Sequence, residues 1–334
     1  MIAPRTHLYD PVRKRFINPH LQEDKRTLKD VLLWKLGYFD QKGESTLVPE
    51  GFLPFHREGP LYATLPKATW INHSTFFIQV YDTHLLTDPI WGKRCSPIPF
   101  LGPIRRHMPP LQLEELQRVD HVLISHNHYD HLDKYTVLRL HALYPQIHWW
   151  VPLGIKKWFT RLGIPNVSEQ GWWESIQFSS PKSSCQIEFT AVPAQHFSGR
   201  RPSDLCSTLW SGWVVTFQHK EQCKRLYFVG DTGYNPFDFT QIGATWSHMD
   251  LSLIPIGSYV PRKFMSPVHI DPAQAVQIHK DVRSKQSLGM HWRTFKLSDE
   301  ALFSPPYDLL LALQKKQIAP QEFLALLPGH AINW

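Results

Sequence analysis

From residue 67 onward, short apolar runs alternate with polar breaks, which is the spacing of strands joined by turns and brief helices. Residues 69–71 and 75–81 read as two strands, and a tight turn at 82–83 leads into a third at 84–87, so the opening is an antiparallel meander. Asn72 precedes His73 at the first break, and asparagine tolerates a left-handed backbone better than any residue except glycine. His73 itself suits either a pocket wall or a turn. The run 121–124 is the next strand. Asp133 then caps a helix reaching Tyr144, with Val137, Leu140 and Leu143 near one face and Pro145 as its stop. Residues 147–151 read as a strand, 154–162 as a short helix, and 169–178 as a further segment whose Trp172 and Trp173 suit core or wall. Strands follow at 185–192, 208–218, 225–229 and 251–257. Asp271 caps a helix with Pro272 at its first position, 287–291 returns as a strand, and 300–334 closes with one or two helices.

The first 66 residues differ in texture. Residues 30–39 read as a short helix stopped at Gly37, with apolar side chains beside Lys29 and Lys35. Such a helix docks its apolar face on its own domain or lies in a lipid interface. Residues 49–66 read as an extended connector. The expected organisation is an N-terminal extension, 1–66, that packs on the core and offers a membrane-contact segment, followed by one domain at 67–334. Within that domain, 91–112 is a proline- and arginine-containing loop without periodicity, and loops this long are often functional.

Composition narrows the classes. An apolar content of 42% over 334 residues supplies a sizeable core. Lysine and arginine at 36 against 29 acidic residues give a net charge of +7, which suits an anionic substrate or surface. The basic residues fall in short groups at 13–15, 105–106, 156–157 and 200–201, each read first as a solvated face. They form no tract of the nucleic-acid-binding kind, so no nucleic-acid partner is expected. Cys95, Cys185, Cys206 and Cys223 form no C-x-x-C, which indicates a reducing compartment and neither a zinc knuckle nor a disulfide framework. The first residues lack an apolar signal core, and no window approaches about 18 apolar residues. The expected location is cytoplasmic, with any membrane contact peripheral, and a homodimer is compatible with the sequence.

The chemistry is concentrated in Ser125-His126-Asn127-His128-Tyr129-Asp130-His131, where a buried strand should stop. His126 and His128 can point one way from an extended backbone, while Asp130 and His131 lie past the bend and can serve a second ion. His196, Asp231 and His291 also stand at predicted strand ends. Three histidines (His126, His128, His196) then suit one ion and Asp130, His131 and His291 the other, with Asp231 bridging. Imidazole and carboxylate without thiolate suit two Zn2+ per chain, with iron or manganese as alternatives. Asp88, in Asp88-Pro89, is either a turn residue or a buried carboxylate holding a ligand histidine in place.

This pattern resembles the metallo-β-lactamase superfamily, marked by H-x-H-x-D-H and later His, Asp and His. The resemblance implies an α/β (α+β) fold, a four-layer αβ/βα sandwich with metals at one sheet edge. The runs 86–89, 123–133 and 228–234, then 254–259, Pro261-Arg262, Phe264-Met265, 269–272 and His291-Trp292, are similar to the N-acylphosphatidylethanolamine-hydrolysing phospholipase D family. That family implies substrate-binding roles for Tyr129 and His269. It also implies zinc-dependent hydrolysis of such glycerophospholipids to N-acylethanolamine and phosphatidic acid, with Asp130 and His269 catalytic and a phospholipid membrane surface as partner. Asn72 and Arg293 stand where relatives commonly carry glycine, and Arg293 is expected to contact phosphate or narrow the acyl route. Two other classes compete: a soluble sugar-phosphate lactonase or phosphodiesterase of the same superfamily, and a non-catalytic lipid-binding protein. Failure to turn over lipid would favour the first, and a metallated but inert protein the second.

Overall fold

The apolar runs assemble as two seven-stranded sheets laid face to face. A computed structural model describes residues 9–21, 33, 47–54, 66–98, 100–179 and 185–334. A small hairpin, β1 (Tyr9–Asp10) and β2 (Arg15–Phe16), precedes the sheets. The first sheet contains β3 (Lys67–Asn72), β4 (Thr75–Val80), β5 (Thr83–Thr87), β6 (His121–Leu123), β7 (His148–Pro152) and β8 (Val167–Gln170). The second contains β9 (Ser175–Ser179), β10 (Cys185–Val192), β11 (Gly212–His219), β12 (Gln222–Phe228), β13 (Met249–Pro255) and β14 (Ser284–Met290). Two short edge strands complete them: β15 (Phe323–Leu324) joins the second sheet beside β14, and β16 (Ala331–Asn333) joins the first beside β3.

Trp70, Phe76, Ile78 and Leu123 of the first sheet share one core with Phe189, Trp213 and Phe217 of the second. Trp150 stacks on Phe189 across this layer at 3.9 Å between centroids, adding about 0.5–1.5 kcal/mol to the burial itself. The opposite face of the first sheet, with Ile71, Phe77, Val122 and Trp149, meets α1 (Lys134–Leu143) and α2 (Lys156–Thr160) through Val137, Leu140 and Phe159. On the second sheet, α3 (Pro236–Trp246), α5 (Pro272–Asp281) and α6 (Ser304–Lys316) contribute Phe239, Ile278 and Leu309, and a short α4 (Arg262–Met265) lies between α3 and α5 in the chain. Sheets covered on both faces need strands that are apolar on both faces, which is why these runs read as continuous rather than alternating. Helix starts follow local chemistry. Asp133 accepts the Thr136 N–H at the head of α1, and Asp271 accepts that of Gln274 at the head of α5.

The meander at β3–β5 and the capped helices match the sequence reading. Residues 169–178 do not form one element: the chain leaves the first sheet at β8, turns through Trp173 in a left-handed conformation (φ 70°), and enters the second at β9. After α6 the C-terminus supplies edge strands instead of a second helix, because pairing with β14 and β3 outweighs the helical propensity of its leucines. The helix expected at 30–39 lies, but for Leu33, outside the described residues. Residues 9–21 touch the main body: the Phe16 N–H donates to the Cys206 carbonyl at 2.8 Å, and Phe16 packs against Trp172 and Trp210. Among the described residues no helix is long and apolar enough to cross a membrane.

Candidate metal centre

β5, β6, β7 and β8 run parallel, as do β12, β13, β14 and β15, and parallel strands deliver their carboxyl ends to one edge. The candidate ligands sit past such ends, or past β10, which runs antiparallel to β11 and so points the same way as β12. His126 to His131 follow β6, His196 follows β10, Asp231 follows β12, and His291 follows β14. Gly230 makes the sharp exit after β12 with φ 69°; a Cβ there would lie 2.8 Å from the Ser125 Cβ, so glycine lets the two ligand-bearing loops close on each other.

Two groups of donor atoms result. In the first, His126 Nε2 lies 2.8 Å from His128 Nδ1, which lies 3.3 Å from His196 Nε2. In the second, Asp130 Oδ2 is approached by His131 Nε2 at 3.3 Å and His291 Nε2 at 3.4 Å. Asp231 Oδ2 stands between the groups, 3.2 Å from His131 Nε2, 3.0 Å from His291 Nε2 and 3.8 Å from His196 Nε2. All seven residues singled out from the sequence are therefore brought together. His73 joins the second group, with Nε2 3.0 Å from Asp130 Oδ2. It occupies both environments weighed for it: it is a turn residue with φ 44° and also 1% exposed in the wall of the site. Asp88 is fully buried and reaches His131 Nδ1 at 2.6 Å and the Ser125 N–H at 2.7 Å. It thus fixes the ring orientation of His131 from behind. His73, Asp88 and His291 all have positive φ, a concentration of backbone strain typical of functional sites.

The two groups differ in their electrostatics. Burial alone would keep His131 neutral, but Asp231, Asp130 and Asp88 outweigh it and push its pKa well above the usual value; His291 rises to about 9, where Asp231 and Asp130 overcome burial. Burial opposes the charge of Asp130 too, yet His131 and its neighbours hold that carboxyl well below the ordinary range. The first group behaves differently. Burial, reinforced by neighbouring imidazoles, lowers His126 and His196 far below 6.5, and burial takes His128 to about 4, so these rings are neutral lone-pair donors. His131 Nε2, His291 Nε2 and Asp231 Oδ1 are buried without a hydrogen-bond partner, which fits a donor set shaped for metal ions.

His269 is the substrate candidate placed against this set. His269 lies at its mouth, with Nδ1 4.0 Å from Asp231 Oδ2 and its carbonyl held by Arg262 Nη1 at 3.0 Å; burial lowers its pKa to about 3. The Tyr129 hydroxyl donates to the Arg200 carbonyl at 3.2 Å. Arg293 has φ 65° and its guanidinium lies 4.9 Å from the Phe303 ring centroid. Arg200 escaped the sequence reading, which took 200–201 for a solvated pair. Its Nη1 donates to the Asn127 and Leu132 carbonyls at 2.9 and 2.7 Å, and its guanidinium covers the Tyr129 ring at 3.9 Å. It straps down the loop that carries the cluster, a role that a basic dipeptide does not announce.

The family model of the beta-lactamase superfamily domain matches residues 83–292. Among curated proteins, the chain is 41% identical over 264 residues to "N-acyl-phosphatidylethanolamine-hydrolyzing phospholipase D 1" of Caenorhabditis elegans, covering 78% of this chain and 71% of that one. It is 35% identical over 242 residues to the mitochondrial N-acyl-phosphatidylethanolamine-hydrolyzing phospholipase D of Saccharomyces cerevisiae, covering 72% of this chain and 50% of that protein. Among solved structures, a possible metal-dependent hydrolase from Veillonella parvula superposes with a TM-score of 0.60 at 17% identity, covering 81% of this chain and all of that one, which supports the fold alone. The two-sheet architecture, the paired donor groups and these matches agree: the chain belongs to the metallo-β-lactamase superfamily and, within it, to the N-acylphosphatidylethanolamine-hydrolysing phospholipase D family.

Proposed function

We propose that the protein is a metal-dependent phosphodiesterase that hydrolyses N-acylphosphatidylethanolamine-type glycerophospholipids to N-acylethanolamine and phosphatidic acid. The observation that carries this reading is the placement of Asp231 Oδ2 between two imidazole-rich groups, a bridging position that suits two ions, with zinc favoured by the donor types. The named relatives supply the substrate class. His126, His128 and His196 would hold one ion, Asp130, His131 and His291 the other, and Asp231 both. When bound, two such cations lower the pKa of water toward ~7 and polarise phosphoryl oxygens.

The chain's own groups do the rest. Asp130, ionised at neutral pH, orients the attacking water and accepts its proton. The water oxygen bonds to phosphorus as the bond from phosphorus to the headgroup oxygen breaks, and a proton returns to the departing alkoxide. Neutral His269 offers a ring N–H to a non-bridging phosphate oxygen, and the Tyr129 hydroxyl offers a second donor. Metal-loaded protein given N-acylphosphatidylethanolamine should release N-acylethanolamine, read by mass spectrometry. Asp130→Asn should lower the rate by about 10²–10⁴-fold. Absence of that product, or turnover untouched by the substitution, overturns the proposal.

A further inference from the structure

We infer that the cleft beside His291 binds a second anionic group of the substrate, so that the enzyme prefers a phosphodiester whose headgroup alcohol carries its own carboxylate. The inference rests on the phosphodiesterase reading and specifies its substrate. The cleft, of about 210 Å³, is lined by residues 291–293, 295–298 and 300–302 together with Arg106, Ser258 and Pro305. That is smaller than the ~300–1,000 Å³ of pockets for drug-sized ligands, so it suits a compact group and not two glycerol-linked acyl chains.

Three cations face it, Arg106, Arg293 and Lys296. Among the described residues, none of these three is paired with a carboxylate, unlike Arg13, Arg118, Arg139, Arg262 and Lys285. Arg293 packs against the face of Phe303, and a guanidinium stacked on a ring keeps its in-plane N–H groups free for an oxyanion. The single carboxylate in the lining, Glu300, is already engaged. Its Oε1 accepts the Ser258 N–H and the Ser298 hydroxyl, each at 2.7 Å, and its Oε2 accepts the Val260 N–H at 3.1 Å. The cleft therefore presents three positive charges against one negative charge whose lone pairs are partly spent. His291 belongs to this wall and also to the second donor group, so a phosphodiester at the metal centre has its neighbouring atoms within the field of the cleft. Leu297 and Leu302 add apolar lining that suits an acyl chain on the headgroup nitrogen.

The matched probes are N-acylphosphatidylserine and N-acylphosphatidylethanolamine of identical chains, which differ by one carboxylate. Affinity of the metal-loaded protein for each, in neutral-detergent micelles, can be read from tryptophan fluorescence, since Trp292 lines the cleft. The acidic lipid should bind at least about tenfold tighter, the scale of a charge-assisted hydrogen bond. Arg293→Gly, which relaxes the backbone at φ 65°, and Lys296→Met should each shrink that ratio toward one. Equal affinities in the parent overturn the inference. So does equal weakening toward both lipids in the variants, which would assign these cations to the scissile phosphate. Turnover measured in parallel separates the two readings: preferential binding without hydrolysis of either lipid removes the phosphodiesterase and leaves the anion site, whereas hydrolysis of both with equal affinity does the reverse.

Discussion

His73 and Asp130 are 57 positions apart in the chain and 3.0 Å apart in space. Asp130 Oδ2 is met from three sides by His73, His131 and His291, so its position depends on a residue outside the seven expected ligands. The His73 backbone is itself pinned, its N–H donating to the Thr294 hydroxyl at 2.7 Å and its carbonyl accepting the His291 N–H at 3.0 Å. Support of this kind typically carries 10–100-fold in activity or metal affinity. His73→Gln should therefore lower kcat about 10–100-fold while elemental analysis at saturating zinc still finds the parent's metal content. A lower metal content would make His73 a ligand in its own right. The cluster at 126–131 was legible because its residues are neighbours in sequence and follow a recognisable strand. Neither His73 nor Arg200 has such a neighbour: each becomes functional through a partner that only the folded topology brings near.

At the scale of single elements, β6 has a buried histidine at its start and the ligand histidines past its end. Its carboxyl end leads to the metal centre. At its start, His121 is 3% exposed, and its Nδ1 accepts the Trp150 indole N–H at 3.3 Å. Burial chiefly, with His148 and Arg118 adding repulsion, lowers its pKa to about 3. The unfolded chain binds that proton near 6.5, so its contribution to stability is complete above about pH 6.5 and is lost progressively as the pH falls toward 3. His121→Gln keeps an acceptor for Trp150 without a titrating ring. Between about pH 6.5 and 4, urea denaturation of the variant should show a pH slope shallower than the parent's by up to ~1.4 kcal/mol per pH unit. Parallel slopes would show that His121 takes up its proton in the folded state as well. Most elements were legible from apolar runs and caps, because their ends are set by residues close in sequence. The crossing between β8 and β9 and the C-terminal edge strands were not, since their conformation is decided by the sheets they join.

Considered whole, the molecule gathers several exposed apolar side chains on the loop that leads from β5 to β6. Phe100 is 82% exposed, Leu101 60% and Met108 74%, flanked by Lys93, Arg94 and Arg106. The loop is braced beneath by Arg105, whose Nε and Nη2 donate to the Gly92 and Ile90 carbonyls at 2.9 and 3.0 Å. We propose that this is where the protein meets a phospholipid surface, with aromatic and aliphatic tips in the interface and cations on anionic headgroups. Phe100→Asp should reduce co-flotation with phosphatidylserine-containing vesicles by about tenfold or more, the worth of burying one aromatic side chain, and added salt should weaken the parent. Undiminished flotation would move the contact elsewhere.

His126, His128, Asp130 and His131 come from the first sheet, and His196, Asp231 and His291 from the second. A cation shared among them is thus a cross-link between the two halves of the sandwich as well as a reagent. Each tenfold rise in free metal above its dissociation constant adds about 1.4 kcal/mol to the folded state. Metal supply would then govern how long the protein survives as well as how fast it works, visible as a melting temperature that follows the zinc concentration.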